Sequence, residues 1–455
     1  MTPELRTRKN DPDGLPALRT HTPVPFPSSQ AGADHAARLS HHLAPRVRLS
    51  RQLVPWAAVA ALLVLMPFVF SGALGISVLT QVCIAVTFAL AYNVLLGATG
   101  LLSFGHALYF GVGAYITAHL LSRFPGQIAV VLVPLIGGLG ALGIGAIFAV
   151  FTVRKGKITF AMISLAIGQL AYAMATIMDG WSGGDSGIRL DPSSAAQWGI
   201  DFGSPLAIYF LIAAWTWLAA LGMFLLRKTP LGKLMNATRD NPERLEFVGF
   251  SPTLIRGLAL SVSAGFAGIA GALYALAFQV VTLDTLSLQQ TTTVMLQTYI
   301  GGYTSFGGPV IGALLMTLVS AHLSSLTDAW PVYLGTVFLL IIVFSRHGIA
   351  GAIREARPRY RAARRTLGAG RIAGIVAVGV LLVCVSCAGY IAVVEMAQSL
   401  SDRSGAPLSL GWLGRALVLD PHAAKVWVVS VLLLIAGVSG LLLLRVRCKR
   451  WIPSL

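Results

Sequence analysis

The chain has 455 residues, 56% of them hydrophobic and 11% charged, and a formal net charge of +17. Soluble domains carry roughly 25% charged residues; that deficit, with repeated apolar runs near the 20 or so residues that cross a bilayer, excludes a soluble enzyme. The runs are continuous rather than alternating, which excludes a transmembrane barrel, and the basic excess falls between them, where it reads as membrane topology rather than a nucleic-acid surface.

Residues 1–50 are polar and rich in Pro, Arg and His, without periodicity. They read as a disordered basic cytoplasmic tail, and they precede the first apolar run by too far for a normal signal peptide. A translation start set too early is the alternative. Apolar spans are expected at about 54–70, 76–96, 103–121, 128–153, 158–178, 206–226, 257–276, 291–301, 307–326, 331–344, 372–394 and 426–444. Segment 291–301 is short enough for a half-helix. The expected fold is an all-α polytopic membrane protein with about ten core helices in 51–353, a basic linker at 354–371 and an extra two-span unit at 372–455.

With the N-terminus placed in the cytoplasm, 29 of the 34 Lys and Arg fall in cytoplasmic segments, while acidic residues divide almost evenly. This bias sets the orientation, with both termini cytoplasmic. The loop 179–205 then lies outside, with four Asp against one Arg. The run from Arg354 to Arg365 reads either as an ordinary linker obeying that bias or as a site for anionic lipid head groups. Cys384 and Cys387 form a C-x-x-C within a span; with no His or second pair nearby they read as small packing residues rather than a redox or metal site.

No ATP-binding cradle of the G-x-x-x-x-G-K-[ST] type is present: Gly232-Lys233 is followed by Leu, and Gly156-Lys157 by Ile. The chain also lacks H-E-x-x-H and G-x-S-x-G motifs. Carboxylates are nearly absent from the spans, which argues against a proton-coupled carrier. Energy is therefore expected from a separate subunit. The loop from Thr229 to Phe250 is where one would dock, with Leu234, Met235, Leu245 and Phe247 as apolar surface and Arg239, Asp240, Glu243, Arg244 and Glu246 as charge. Pro242 divides it into two short helices, the second capped by Asp240 or Asn241 and ended by Gly249. A plain solvated loop is the other reading.

Gly100-Leu-Leu-Ser-Phe-Gly-His-Ala-Leu-Tyr-Phe-Gly-Val-Gly-Ala-Tyr115 crowds glycines into a span. Gly105, Gly111 and Gly113, and again Gly265 and Gly268, form small-residue surfaces that either pack helices or flank a translocation path. Asn93, Ser103, Gln169 and Gln297 are polar groups at membrane depth, suited to an uncharged path or to bonds between helices. His106 reads as a ligand or as a satisfied helix-end residue bonded to Ser103. Ser103-Phe-Gly105 is echoed by Ser305-Phe-Gly307, a loose sign of an internal repeat.

The segment 100–115, the loop Gly232-Lys-Leu-Met-Asn-Ala-Thr-Arg-Asp-Asn-Pro-Glu-Arg244 running on to Gly249, and Ser263 to Tyr274 occur in an order that resembles branched-chain amino acid ABC transporter permeases. Gly301 to Ala313 and Gly183-Gly-Asp-Ser-Gly-Ile188 match too, the last pointing to the LivM type. The resemblance covers about 75–353; the N-terminal tail and the two spans after 370 fall outside it. It implies an inner-membrane transport subunit that is not itself an enzyme. It also implies a related second permease, two cytoplasmic ATPases that hold the ATP, and a periplasmic substrate-binding protein. This chain then carries no cofactor and no metal, contacts lipid, and binds no nucleic acid. The segment holding Asn236, Thr238, Arg239, Asp240, Asn241, Glu243, Arg244 and Gly249 becomes the ATPase-coupling loop. Urea or amides as cargo, or a self-contained secondary carrier, are the alternatives.

Overall fold

A computed structural model describes residues 49–70, 72–154, 157–190, 202–324, 327, 329–344 and 348–355, and scattered positions between 378 and 440. The chain divides into two compact units, Met1–Ala57 and Ala58–Leu455. Most of the expected tail, of the basic linker and of the two-span unit lies outside the described residues, as does Cys384.

The regular elements among the described residues are helices apart from two short strand pairings. In chain order the helices are α1 (Leu49–Val69), α2 (Ala73–Thr99), α3 (Ala107–Arg123), α4 (Val133–Thr152), α5 (Lys157–Ile177) and the single turn α6 (Asp179–Ser182). Then follow α7 (Pro205–Lys228), α8 (Pro230–Asp240), α9 (Pro242–Phe247), α10 (Pro252–Phe278), α11 (Leu288–Gly301), α12 (Gly307–Leu323) and α13 (Trp330–Phe344). Five helical stretches among the described residues are long and apolar enough to cross a membrane: Ala73–Thr99, Val130–Thr152, Ile158–Ile177, Pro205–Lys228 and Pro252–Phe278. Shorter apolar helices accompany them. The protein is a multi-pass membrane protein. Strand β1 (Ile188–Arg189) pairs antiparallel with β2 (Val280–Val281), closing one end of the bundle.

Several helix starts are written locally. Ser204-Pro205, Thr229-Pro230, Asn241-Pro242 and Ser251-Pro252 each place a capping side chain before a proline at the first helical position. The side-chain oxygen accepts a backbone N–H three residues on, and the proline removes a donor that would have no partner there. The expected span at 103–121 is corrected. Its helix begins only at Ala107, and 100–106 is non-helical. Segment 291–301 is the 14-residue α11.

Helix α10 is the core of the bundle. Its apolar window is 72% buried, against 28% for α5. It packs along α2, α3 and α4 through small residues. A Cβ on Gly268 would meet Ala141, the Gly137 carbonyl and Gly138 of α4, and one on Gly113 would meet the Gly268 backbone. Gly271 lies against the Phe110 carbonyl, and Gly265 against Leu142. Lipid offers no hydrophobic drive for helix association, so this close approach and a few hydrogen bonds hold the helices. Ser263 Oγ donates to the Ala91 carbonyl at 2.6 Å, and Tyr209 Oη to the Leu63 carbonyl at 2.7 Å. Thr216 Oγ1 donates to the Cys83 carbonyl at 3.2 Å. Such bonds contribute about 0.6 kcal/mol each in membrane helices.

Gly268→Leu is expected to prevent α10 from seating, because overpacking typically costs about 1–3 kcal/mol and here the obstacles are partly backbone atoms. The yield of monodisperse protein after detergent extraction should collapse, while Gly143→Leu, which meets open space, should leave it near wild type.

Candidate functional site

Helix α2 ends at Gly100, whose φ of 70° is the left-handed conformation glycine adopts without strain. The chain then turns back into the protein as a non-helical segment in which Leu101, Ser103 and His106 are fully buried. Non-helical backbone at membrane depth persists only where its polar groups are satisfied by protein. Side chains from two helices do this for Ser103 and Phe104, and one from a third helix holds the first amide of α3. Tyr92 Oη of α2 donates to the Ser103 carbonyl at 3.1 Å. Phe104 N–H donates to Ser164 Oγ of α5 at 3.0 Å, and Ala107 N–H to Thr291 Oγ1 of α11 at 2.9 Å. Gly105 allows the α5 contact, since a Cβ there would overlap the Ser164 carbonyl.

His106 follows at the head of α3, enclosed by Phe88, Tyr92 and Tyr109 at centroid distances of 5.9, 5.1 and 5.4 Å. The expected bond to Ser103 is not made. His106 Nε2 lies 3.3 Å from Ser263 Oγ on α10. That hydroxyl spends its hydrogen on Ala91, so it accepts from His106, which places the imidazole proton on Nε2. Among the described residues His106 Nδ1, Ser103 Oγ and Asn93 Oδ1 are buried without a hydrogen-bond partner. Asn93 Nδ2 is 3.5 Å from the Ser305 carbonyl, across from the turn between α11 and α12.

The two Ser-Phe-Gly echoes differ in use. Ser305 Oγ accepts from Gly308 N–H at 3.1 Å and so caps the start of α12. Ser103 caps nothing.

Beside this cluster lies a cavity of about 230 Å³ between α2, α3, α10, α11 and α12. Gln81, Gln290, Gln297, Thr293, Thr317 and Ser320 supply its polar wall. Phe88, Phe110, Tyr274 and Phe278 supply the aromatic one, and no Asp, Glu, Lys or Arg lines it. Gln297 is buried there, whereas Gln169 sits on the exposed face of α5. The neighbouring Gly168 is the residue turned inward, against Gly105. Gly111 packs on Leu286. Gly105, Gly113, Gly265 and Gly268 touch other helices rather than the cavity.

On the side where α2 ends, the loop 229–250 forms α8 and α9. Thr229 Oγ1 caps α8, accepting from Gly232 N–H at 3.2 Å, and Asn241 Oδ1, not Asp240, caps α9, accepting from Arg244 N–H at 3.0 Å. Arg239 Nη1 donates to the Gly97 carbonyl at 2.6 Å, and its Nε lies 3.2 Å from Asp240 Oδ1. Thr238 is buried and Asn236 half-buried. Two residues expected on the outer surface face inward instead: Met235 and Leu245 are 1% and 6% exposed, anchoring both short helices on the bundle. Phe247, at 92%, is exposed together with Val248, Phe250 and Leu254. Glu243, Arg244 and Glu246 rim them. Gly249 turns the chain at φ 89°.

A family model described as the permease component of the branched-chain amino acid transport system matches residues 74–345. Two curated relatives carry the name high-affinity branched-chain amino acid transport system permease protein LivM. The one from Escherichia coli is 25% identical over 315 residues, 64% of this chain and 73% of the relative. The one from Salmonella typhimurium is 24% identical with the same coverage. No solved structure matches the chain.

Thr291→Val keeps the shape of the side chain but strands the buried Ala107 N–H, at a cost of about 1–3 kcal/mol. A lower apparent Tm of the detergent-solubilised protein is expected. Thr292→Val, whose hydroxyl is exposed and bonds only within its own helix, should leave it unchanged.

Proposed function

The chain belongs to the permease family of branched-chain amino acid transport systems, and from that premise we propose that it is the membrane-spanning subunit of an ABC importer for leucine, isoleucine and valine. It sits in the bacterial inner membrane with both termini in the cytoplasm. Its partners are a related second permease, two cytoplasmic ATPases that bind and hydrolyse ATP, and a periplasmic protein that delivers the cargo. The chain itself moves cargo and catalyses no reaction.

The observation that carries this reading is the bond from Arg239 to the Gly97 carbonyl. It joins the loop helices to the end of α2, the helix whose Gln81 and Phe88 line the cavity. The exposed patch of Phe247, Val248, Phe250 and Leu254 offers an ATPase an apolar seat with a charged rim. Movement of the docked ATPases on ATP binding then passes through α8 and Arg239 to α2. Rocking of α2 against the α10 core opens the cavity to one side of the membrane and then the other. The rest of the chain suits this division of labour. Its spans hold almost no acidic groups with which to couple a proton gradient.

Uptake of radiolabelled leucine in cells lacking the chain, complemented with variants, tests the proposal. Arg239→Ala and Phe247→Asp are each expected to lower uptake at least tenfold while the chain still reaches the membrane at normal level. Wild-type complementation that fails to restore leucine uptake would sink the cargo assignment. Normal uptake with both variants would sink the coupling role.

A further inference from the structure

We propose that the cavity between α2, α3, α10, α11 and α12 is a recognition site at which this chain itself selects its cargo: one amino acid that carries both an ammonium and a carboxylate but an uncharged, aliphatic side chain. The proposal rests on the importer reading above and extends it, because it places a filter within the membrane in addition to the delivery protein.

Size is the first ground. Pockets for drug-sized ligands run from about 300 Å³ upward, so about 230 Å³ holds a single small molecule. Its lining is the second. Amides offer two donors and an acceptor apiece. Gln81, Gln290 and Gln297 can therefore donate to a carboxylate and accept from an ammonium without any fixed charge. A zwitterion is thus served at both ends, and the aromatic faces favour its ammonium further. An added Lys or Asp side chain on the cargo would find no opposite charge among the lining residues, and an unpaired charge out of water is costly. The four aromatic rings instead suit a branched aliphatic group.

Position is the third ground. Gln81 lies toward the start of α2 and Gln290 at the start of α11, in the half of the bundle opposite α8 and α9. Phe88 and Gln297 lie deeper. Phe88 stacks on His106 and packs 4.6 Å from Phe110, so the inner end of the cavity rests on the cluster that holds the broken segment 100–106. A site there faces incoming cargo and is backed by that hydrogen-bonded cluster.

Cysteine accessibility in right-side-out membrane vesicles bearing the whole transporter tests this. The four native cysteines are replaced by alanine, and Thr293→Cys or Gln297→Cys is introduced, two positions so that one failing to fold leaves the other. Ser186→Cys, exposed in the outside loop 179–205, is the control. A membrane-impermeant methanethiosulfonate reagent is applied with the delivery protein, either empty or loaded with leucine. Leucine is expected to slow modification at 293 or 297 at least fivefold over the empty protein, with lysine giving no protection and Ser186→Cys modified at the same rate throughout. Unchanged modification in vesicles that do take up leucine would overturn the cavity assignment alone. Equal protection by lysine would overturn the filter. Absence of leucine uptake in the cysteine-free parent, with uptake likewise absent in wild type, would bring down the importer reading and this inference with it.

Discussion

The described part of the fold turns on one requirement: seven residues of non-helical backbone, 100–106, lie inside a membrane protein and their polar groups must be met without water. Tyr92 and Ser164 meet two of them, and Thr291 meets the first amide of α3, each from a different helix. These bonds fix α2, α5 and α11 around the head of α3. The His106 ring fills the space they leave and ties the group to α10 through Ser263. Every element that bounds the cavity, α12 aside, therefore bonds to or packs on the same few residues.

Against that fixed cluster, α2 is the helix with work at several heights. Near its end the Gly97 carbonyl receives Arg239 of α8. At mid-length the Ala91 carbonyl receives Ser263 of the core helix. Toward its start Gln81 faces the cavity. A rigid helix with contacts at both ends transmits displacement. In the importer reading, this geometry is what joins ATP hydrolysis to cargo movement.

Much of the architecture was legible in sequence because its causes are local. Apolar run length gave the long helices. Pro242 marked a helix start, with Asp240 or Asn241 as its cap; Ser204-Pro205, Thr229-Pro230 and Ser251-Pro252 use the same chemistry, which needs only neighbours, and went unread. What failed depends on partners far along the chain. Nothing in Ser103-Phe-Gly105 says that its backbone will bond to Ser164 and its helix start to Thr291, so the span looked continuous from 103. The amphipathic pieces α8 and α9 announced an apolar side, but not that Met235 and Leu245 would be spent on the bundle and Phe247 left outside. Likewise Gln169 and Gln297 look alike in sequence. Only the rotation of α5 set by Gly168 against Gly105 separates them. The cavity draws on five helices and has no sequence signature of its own.

The bond between Ala107 and Thr291 spans 184 positions, and that separation bears on how the protein is made. A chain emerging from the ribosome exposes the donor long before its acceptor has been synthesised. Until α11 arrives, the head of α3 has no such partner in hydrocarbon, so the early helices have reason to wait near the water boundary or in the shelter of the insertion machinery. Completion of α11 supplies the missing hydroxyl. Biogenesis thus has an order written into it: the amide at the head of α3 gains its side-chain partner only once α11 has been translated.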